Sequence, residues 1–210
     1  MSEYSIGVED HYAWANLVSL TTSGPNELLL DKRRVELLDP QLTASPYHHE
    51  TRQMPLSEAE KLVREVKASA GRRATAALSL LLGELAPATC RAIAIRVPPL
   101  PDLPPTVAEV HANTGIMNRA DGMIYHQALT RAAARLELKV FYFEKDSVLE
   151  LAAQARGKPA RDLERQLKAL GTTLGPPWRK GHLVACAGAL LAHVSTAPSS
   201  PTSPRRKAPA

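Results

Sequence analysis

The sequence lacks the features that define several common classes of protein. It has two cysteines, Cys90 and Cys186, each far from any second cysteine, so neither a structural zinc site nor a disulfide framework is expected. No apolar run approaches the roughly 20 residues that span a bilayer. The first residues also lack the basic and apolar regions of a secretory signal. These absences predict a cytoplasmic protein with no membrane partner.

Aromatic residues are scarce as well, with two Phe, two Trp and five Tyr among 210 residues. Alanine and leucine are abundant instead, which favours an aliphatic core with much helix. A chain of this length can bury such a core without disulfides or metals. We expect one domain over residues 1–194. Residues 195–210 contain mainly Pro, Ser, Thr, Ala and basic residues, which predicts a disordered tail.

The positive charge is concentrated in that tail. The whole chain has a net charge of +5 and a pI of about 9.4, which taken alone suggests an anionic partner. Three of the 26 basic residues lie in residues 195–210, which contain no acid. The rest of the chain therefore has 23 basic and 21 acidic residues, a net charge of +2. A flexible basic tail attracts phosphate only non-specifically, so composition gives little support for a nucleic-acid partner.

The spacing of apolar residues and turn signals predicts five strands and several helices. Strands are predicted at residues 4–9, 14–21, 28–38, 91–97 and 139–144. Helices are predicted at residues 57–85, at 106–136 with a break near 113–115, from 146 or 147 to about 157, and at 159–170 and 182–194. Capping boxes mark two of the helix starts, with Ser57 facing Glu60 and Thr106 facing Glu109.

The order of these elements predicts the fold class. Three consecutive strands joined by tight turns form an antiparallel meander, whereas strands separated by helices pair in parallel. We therefore expect an α/β fold with a mixed five-stranded sheet, in which three antiparallel strands are followed by a parallel fourth and fifth strand. Helices would flank this sheet.

Three short motifs occur within the predicted strands and helices. Residues 6–9 (IGVE) end the first strand as apolar-glycine-apolar-acid, Trp14 and Ala15 open the second strand, and residues 118–122 (NRADG) lie in the long helix of 106–136. Over residues 4–194, the order and the motifs resemble the ribonuclease-H-like superfamily, and within it the bacterial Holliday-junction resolvases. The resemblance implies a homodimer that cleaves branched DNA, with Mg²⁺ or Mn²⁺ held by carboxylates from separate elements.

The chain departs from the resolvase pattern at two places where the resemblance implies a metal ligand. At the end of the fourth strand, where those enzymes have an acid, this sequence has Arg96, which would repel Mg²⁺. The last helix has no acid between Gly181 and Val194, so that only His182 could bind a metal there. We therefore expect a degenerate acidic site.

Glu9 and Asp10 are the residues that we expect to be catalytic and to bind the metal. Because they are consecutive, a regular strand directs them to opposite faces, and they cannot both coordinate one ion from such a strand. Glu9 would share a face with Gly7, and Asp10 would share a face with Val8 unless it already belongs to the turn. The alternative is a solvated pair of acids in a turn at the edge of the sheet.

Four residues are expected to contact nucleic acid: Arg96, Trp178, Arg179 and Lys180. A tryptophan stacks on bases and exposed cations bind phosphate, although a tryptophan in a Pro-rich loop more often covers the core. His182, at the start of the last helix, is expected to be the third catalytic residue. Its alternative is a capping or packing histidine.

The other candidate ligands have weaker support. The sequence His48-His49-Glu50 lacks the spacing of a known metal motif, and we expect it to be a surface loop. Asp102 or Asp121 would assist Glu9 only if its side chain reached the ends of the central strands.

Two functions remain open from the sequence. The first is a metal-dependent endonuclease that acts on structured nucleic acid with an incomplete set of carboxylates. The second is a non-catalytic, homodimeric assembly module that makes its contact through the alanine-rich residues 120–136. Three or more carboxylates converging at the strand ends would favour the nuclease. Arg96 and His182 beside Glu9 would favour a vestigial site or an anion pocket.

Overall fold

The computed structural model describes residues 2–23, 26–48, 51–100 and 102–196. Five strands form one mixed sheet: β1 (Glu3–Asp10), β2 (Trp14–Ser23), β3 (Asn26–Glu36), β4 (Thr89–Arg96) and β5 (Val140–Phe143). Their order across the sheet is β3-β2-β1-β4-β5. The first three strands are antiparallel to one another, and β4 is parallel to both β1 and β5. The predicted sheet is confirmed.

Helices cover both faces of this sheet. They are α1 (Leu56–Glu84), α2 (Val107–His111), α3 (Thr114–Arg135), α4 (Val148–Ala155), α5 (Ala160–Gly171) and α6 (Lys180–Ser195). The first three helices enclose one core with Ile6, Val8 and Ile93, and the last three enclose a second core with Ala92 and Ala94. Neighbouring residues of β1 and β4 thus point into different cores, because successive side chains alternate across a strand.

Two predicted helix starts have different outcomes. The capping box of α2 is confirmed, since the backbone N–H of Glu109 donates to Thr106 Oγ1 at 3.2 Å. The box predicted at Ser57 is wrong, because α1 begins earlier and Pro55 is its N-cap. The carbonyl oxygen of Pro55 accepts the first intrahelical bonds, from the backbone N–H groups of Glu58 and Ala59. Ser57 therefore lies inside the helix.

The predicted break in the helix of residues 106–136 is confirmed at Asn113. This residue is the N-cap of α3, and its side-chain oxygen accepts the backbone N–H of Ile116 at 3.2 Å. The break separates the one-turn α2 from α3, which packs against α1. It places the first half of α3 beside the hairpin that joins β1 to β2, where the hydroxyl of Tyr12 donates to the backbone carbonyl of Asn118 at 3.3 Å.

The last helix, α6, packs very closely on β1 because Gly7 has no side chain. A Cβ atom at Gly7 would overlap the carbonyl oxygen of Ala185. The neighbouring residues of α6 are also small, including Gly188 and Ala189, and nearly all of the helix is buried. The alanine-rich pattern of this segment is therefore a requirement of close packing between a helix and the middle of the sheet.

Two further observations concern membranes and thiols. Within the described ranges, no helix is both long enough and apolar enough to cross a membrane. Cys90 and Cys186 are free thiols, and burial raises the pKa of each to about 12. Both are therefore poor nucleophiles.

The predicted tail lies outside the described residues from residue 197 onward, as do His49 and Glu50. Ser195 belongs to α6.

Candidate functional site

A cleft of about 370 Å³ lies where the central parallel strands end. The carboxyl ends of parallel strands meet at one edge of a sheet, which is where α/β proteins commonly bind ligands. Here the ends of β1 and β4, the residues after β5 and the β1–β2 hairpin surround the cleft. We call it the strand-end cleft. Its polar and aromatic lining consists of Glu9, Asp10, His11, Tyr12, Trp14, Arg96, Phe143 and Lys145.

Asp10 is buried and forms an ion pair with Arg96. The Nε and Nη2 atoms of Arg96 donate to its two carboxylate oxygens at 2.7 and 3.1 Å. The Nδ1 atom of His126 lies 3.6 Å from Oδ2. Burial by itself raises the pKa of Asp10, but His126 and Arg96 together outweigh it and hold the pKa below its ordinary value. Asp10 is thus a carboxylate whose charge is balanced within the protein.

Glu9 points to the opposite face of β1, toward α6, as the alternation along the strand predicts. Asn16 Nδ2 donates to its Oε2 atom at 3.2 Å, and His11 Nε2 lies 3.1 Å from the same oxygen. Lys145 Nζ lies 4.0 Å from Oε1. A Cβ atom at Gly181 would overlap this carboxylate. The first turn of α6 therefore packs directly against Glu9.

His182 lies next to Gly181 in that first turn and accepts a backbone hydrogen bond. Its Nδ1 atom receives the N–H of Arg179 at 3.2 Å. Burial and the positive charge of Lys32 lower its pKa, although Glu9 acts in the opposite direction. A neutral ring is what a histidine needs in order to accept a hydrogen bond. The structure thus places the predicted catalytic histidine beside Glu9, where it also caps the helix.

Trp178, Arg179 and Lys180 border a second cavity rather than the strand-end cleft. The indole ring packs directly over Gly171 and lies 5.7 Å, centroid to centroid, from the ring of His182. All three residues line a groove of about 670 Å³ between α4, α5 and the start of α6, which adjoins the strand-end cleft at Lys145. Of the four residues predicted to contact nucleic acid, only Arg96 lies in the strand-end cleft.

Asp121 lies elsewhere, although its segment is part of the resemblance. One carboxylate oxygen accepts the backbone N–H of Tyr47 at 2.9 Å, and the other lies 2.7 Å from His48 Nδ1. His48 Nε2 also contacts Asn118 Oδ1 at 2.6 Å. These contacts raise the pKa of His48, the bond to Asn118 most strongly, against the effect of burial. Asp121 therefore anchors the connection between β3 and α1 to α3.

Comparison with known proteins identifies the fold. No protein-family model and no curated protein sequence matches this chain. A structure of Thermus thermophilus RuvC in complex with a Holliday junction substrate superposes with a TM-score of 0.51 and 16% identity, covering 91% of this chain and 92% of that one. Another Thermus thermophilus RuvC structure gives 0.50 and 15%, covering 93% and 96% of the two chains. This chain has a RuvC-like fold.

The resemblance in fold predicted from the sequence is thus confirmed, but the carboxylates do not fit the pair of metal ions that it implies. Both oxygens of Asp10 already accept from Arg96, Glu9 lies on the other face of β1, and Asp121 is bound to Tyr47 and His48. Across the residues that the structure describes, no group of three or more His, Cys, Asp or Glu side chains is arranged to hold a metal ion. The arrangement of these carboxylates fits an ion pair within the protein better than a site for two metal ions.

Several residues of the strand-end cleft in this RuvC-like fold have no signal of their own in the sequence. Lys145 lies two residues beyond the end of β5, and this nearness to the edge of a parallel sheet is the clue that the sequence offers. His11 stacks on Trp14 with ring centroids 3.8 Å apart, and the guanidinium of Arg34 lies 4.1 Å from the Trp14 ring. This stack forms one wall of the cleft. It depends on the pairing of β2 with β3, which spacing along the chain does not reveal.

Proposed function

We propose that this protein binds branched or otherwise structured nucleic acid in the strand-end cleft, and that cationic side chains rather than metal ions hold the phosphate backbone there. The ion pair between Arg96 and Asp10 supports this proposal most strongly. It puts a fixed positive charge at the end of β4, where the resolvase pattern has a carboxylate. The similar RuvC chain is in complex with a Holliday junction substrate, which supports branched DNA as the class of ligand.

Arg96 keeps donors for a phosphate while it pairs with Asp10. Its Nη1 atom has no hydrogen-bond partner among the described residues, and its side chain is one-third exposed. A guanidinium suits this double role, because its planar set of N–H groups serves two anions at once. Lys145 is about half exposed and adds a second cation close to Glu9. Together, Arg96 and Lys145 balance the two carboxylates, so the cleft does not repel phosphate.

The same arrangement argues against hydrolysis by two metal ions in this cleft. That mechanism needs carboxylates that share both ions. Asp10 could join such a set only by releasing Arg96, whose charge would then repel the metal. A Mg²⁺- or Mn²⁺-dependent endonuclease is the alternative function, and its signature would be cleavage that requires Glu9 and Asp10.

A binding experiment tests the proposed function. The probe is a fluorescent four-way DNA junction, compared with a linear duplex of the same composition, and binding is followed by fluorescence anisotropy over a range of salt concentrations. We expect wild-type protein to prefer the junction. We expect Lys145→Glu to weaken junction binding several-fold and to reduce the salt slope by about one. Lys61→Glu on α1, an exposed lysine that does not line the cleft, is the matched control. Equal affinity for junction and duplex in the wild type would contradict the proposal.

A cleavage experiment separates the proposal from the endonuclease. Wild-type protein and the double variant Glu9→Ala/Asp10→Ala are incubated with the same junction in Mg²⁺ or Mn²⁺. We expect no cleavage beyond that seen with the variant. Metal-dependent cleavage by the wild type alone would show that Glu9 and Asp10 support hydrolysis. It would overturn the proposal that cationic side chains, rather than metal ions, hold the phosphate backbone.

The homodimer through residues 120–136 stays a prediction. The apolar side chains of this segment are already packed inside the chain, against α1 and the sheet. Its exposed side carries Arg131 and Arg135. A symmetric contact through α3 would bring these cations of two copies near one another, which disfavours association. Light scattering of the free protein gives the oligomeric state directly.

A further inference from the structure

A second concave surface, separate from the strand-end cleft, lies between α1 and α3. It is a groove of about 380 Å³, and among the described residues that line it four are cationic and none is acidic. We call it the α1–α3 groove. Its lining consists of Lys67, Ala68, Gly71, Arg72, Ile124, Gln127, Ala128, Arg131 and Arg135. The globular part of the chain has nearly balanced charge, so this groove concentrates a positive charge that the composition does not suggest.

Most of that charge is not neutralised. Arg72 Nη2 donates to Asp39 at 3.0 Å. The other three cations, Lys67, Arg131 and Arg135, have no carboxylate within ion-pair distance in the part of the chain that the structure describes. Burial and the nearby charge of Arg131 lower the pKa of Lys67, the direction expected where like charges are held together. Lys67 Nζ lies 5.7 Å from the centroid of the Tyr47 ring, which is a weaker interaction than an ion pair.

The cations lie on the two walls of the groove rather than around one point. Arg131 and Arg135 are four residues apart on α3, so they lie one above the other at a separation of about 6 Å along the helix. Lys67 and Arg72 line the opposite wall from α1, where they are five residues apart and so leave the helix in different directions. Cations spread over two walls suit a chain of charges more than a single small anion, which would need several donors converging on one place. Between the cations the lining is mostly small or polar, with Ile124 as its one large apolar residue among those described. A groove of this kind offers little of the apolar contact that dominates protein–protein interfaces.

We propose that the α1–α3 groove binds the phosphodiester backbone of nucleic acid. It would be a second contact surface in addition to the strand-end cleft. Contacts to backbone phosphates need only well-placed cations and carry no sequence information. The inference rests on the proposed function for the nature of the ligand, but it concerns other residues and a different face. It also gives the exposed arginines of α3 a role that does not require a homodimer.

Gly71 offers a clean way to test the groove. A Cβ atom at this position would meet nothing within 4 Å, so a side chain can begin here without a clash at its first atom. Gly71→Glu places a negative charge among the cations, and Gly71→Gln adds nearly the same volume without charge. The ligand is a fluorescent linear duplex, with binding measured by anisotropy at several salt concentrations. We expect Gly71→Glu to bind at least several-fold more weakly than Gly71→Gln. Equal affinity of the two variants would refute the proposal.

A second pair of variants removes charge instead of adding it. Arg131→Gln/Arg135→Gln is compared with Arg161→Gln/Arg165→Gln, which removes two exposed arginines from α5 and so makes the same change in net charge. The salt slope should fall by about two in the groove variant, because each lost phosphate contact reduces it by about one, and it should not change in the control. The same slope in both variants would mean that only net charge matters and would overturn the proposal.

The comparison with a junction distinguishes this inference from the proposed function. If groove variants lose affinity equally for junction and duplex, the groove holds backbone whether or not the cleft selects branched DNA. If wild-type protein prefers the junction while groove variants behave as their controls do, the cleft proposal survives and the groove proposal fails. Calorimetry with inorganic phosphate and with polyglutamate completes the test. Tight binding of either ligand, lost in Arg131→Gln/Arg135→Gln, would identify a small-anion or an acidic-protein site and overturn the assignment to nucleic acid.

Discussion

At the scale of single residues, the pair formed by Arg96 and Asp10 determines the chemistry of the strand-end cleft. A buried carboxylate needs a partner, and here the partner is a guanidinium rather than a metal ion. Asp10 contributes stability above its ordinary pKa of about 3.9, and this contribution is lost as the pH falls through its lowered pKa in the folded protein. The charge of Arg96 is therefore needed most at neutral pH.

The variant Arg96→Met tests this account. Removal of the cation leaves a buried carboxylate with only His126 close to it, so we expect a loss of about 3 kcal/mol in the free energy of unfolding at pH 7. The pKa of Asp10 should then rise, because burial is no longer opposed by Arg96. The difference between variant and wild type should therefore shrink as the pH is lowered and Asp10 becomes protonated. Urea denaturation at a series of pH values measures this difference.

The control for that experiment is Arg64→Met, which removes an exposed arginine paired with Glu60 on α1. Such surface pairs contribute only about 0.5 kcal/mol or less. A loss in Arg96→Met that stays constant from neutral to acidic pH would show that lost packing, and not the unpaired carboxylate, is responsible.

At the scale of elements, the contact between α6 and β1 holds the second core together and positions Glu9. We expect Gly7→Ala to destabilise the protein by about 3 kcal/mol, because the added methyl group meets the backbone of α6 and cannot be relieved by a change of rotamer. If α6 moves outward, its first turn also releases the carboxylate of Glu9. Thermal and chemical denaturation measure the loss of stability.

Gly83→Ala is the matched control, since Gly83 lies in α1 and a Cβ atom there meets nothing within 4 Å. This substitution should be neutral or stabilising by up to about 1 kcal/mol, as expected for alanine in a helix. Similar stability of the two variants would mean that α6 can move away from β1 at little cost.

At the scale of the whole molecule, Glu27 joins the first part of the chain to the last part of the fold. Its side chain is fully buried on the edge strand β3, where Arg156 Nε donates to Oε1 at 2.7 Å and Gln166 Nε2 donates to Oε2. Lys158 Nζ lies 3.5 Å from Oε2. The ionic cluster thus fastens the edge of the sheet to α5 and to the ends of the α4–α5 connection, and it covers part of an edge that would otherwise be open.

We expect Glu27→Gln to cost about 3 kcal/mol, because Arg156 and Lys158 would lose their common anion in a largely buried place. Hydrogen exchange should show faster opening of β3 than of β1. Glu164→Gln is the control, since its pair with Lys168 lies at the surface of α5. If both variants unfold at the same denaturant concentration, the cluster does not fasten the edge strand.

The strand-end cleft shows why only part of the site could be predicted. Alternation along β1 predicts that Glu9 and Asp10 face opposite sides of the sheet, and this is what the structure shows. The pairing of Asp10 with Arg96 joins residues 86 positions apart and depends on the parallel register of β1 and β4. The covered position of Trp178 likewise depends on Gly171 and on the packing of α5 against α6.

The sequence by itself determined the order of strands and helices, the mixed sheet, the break at Asn113 and the absence of an acid from the last helix. These features follow from local patterns, since apolar period, caps and turns act over a few residues. Only the tertiary structure decided that Arg96 neutralises Asp10, that Lys145 reaches Glu9, and that Lys67 and Arg131 form one basic groove. Electrostatic interactions act through space between residues distant in the chain, so their outcome is fixed only when the helices and strands are packed together.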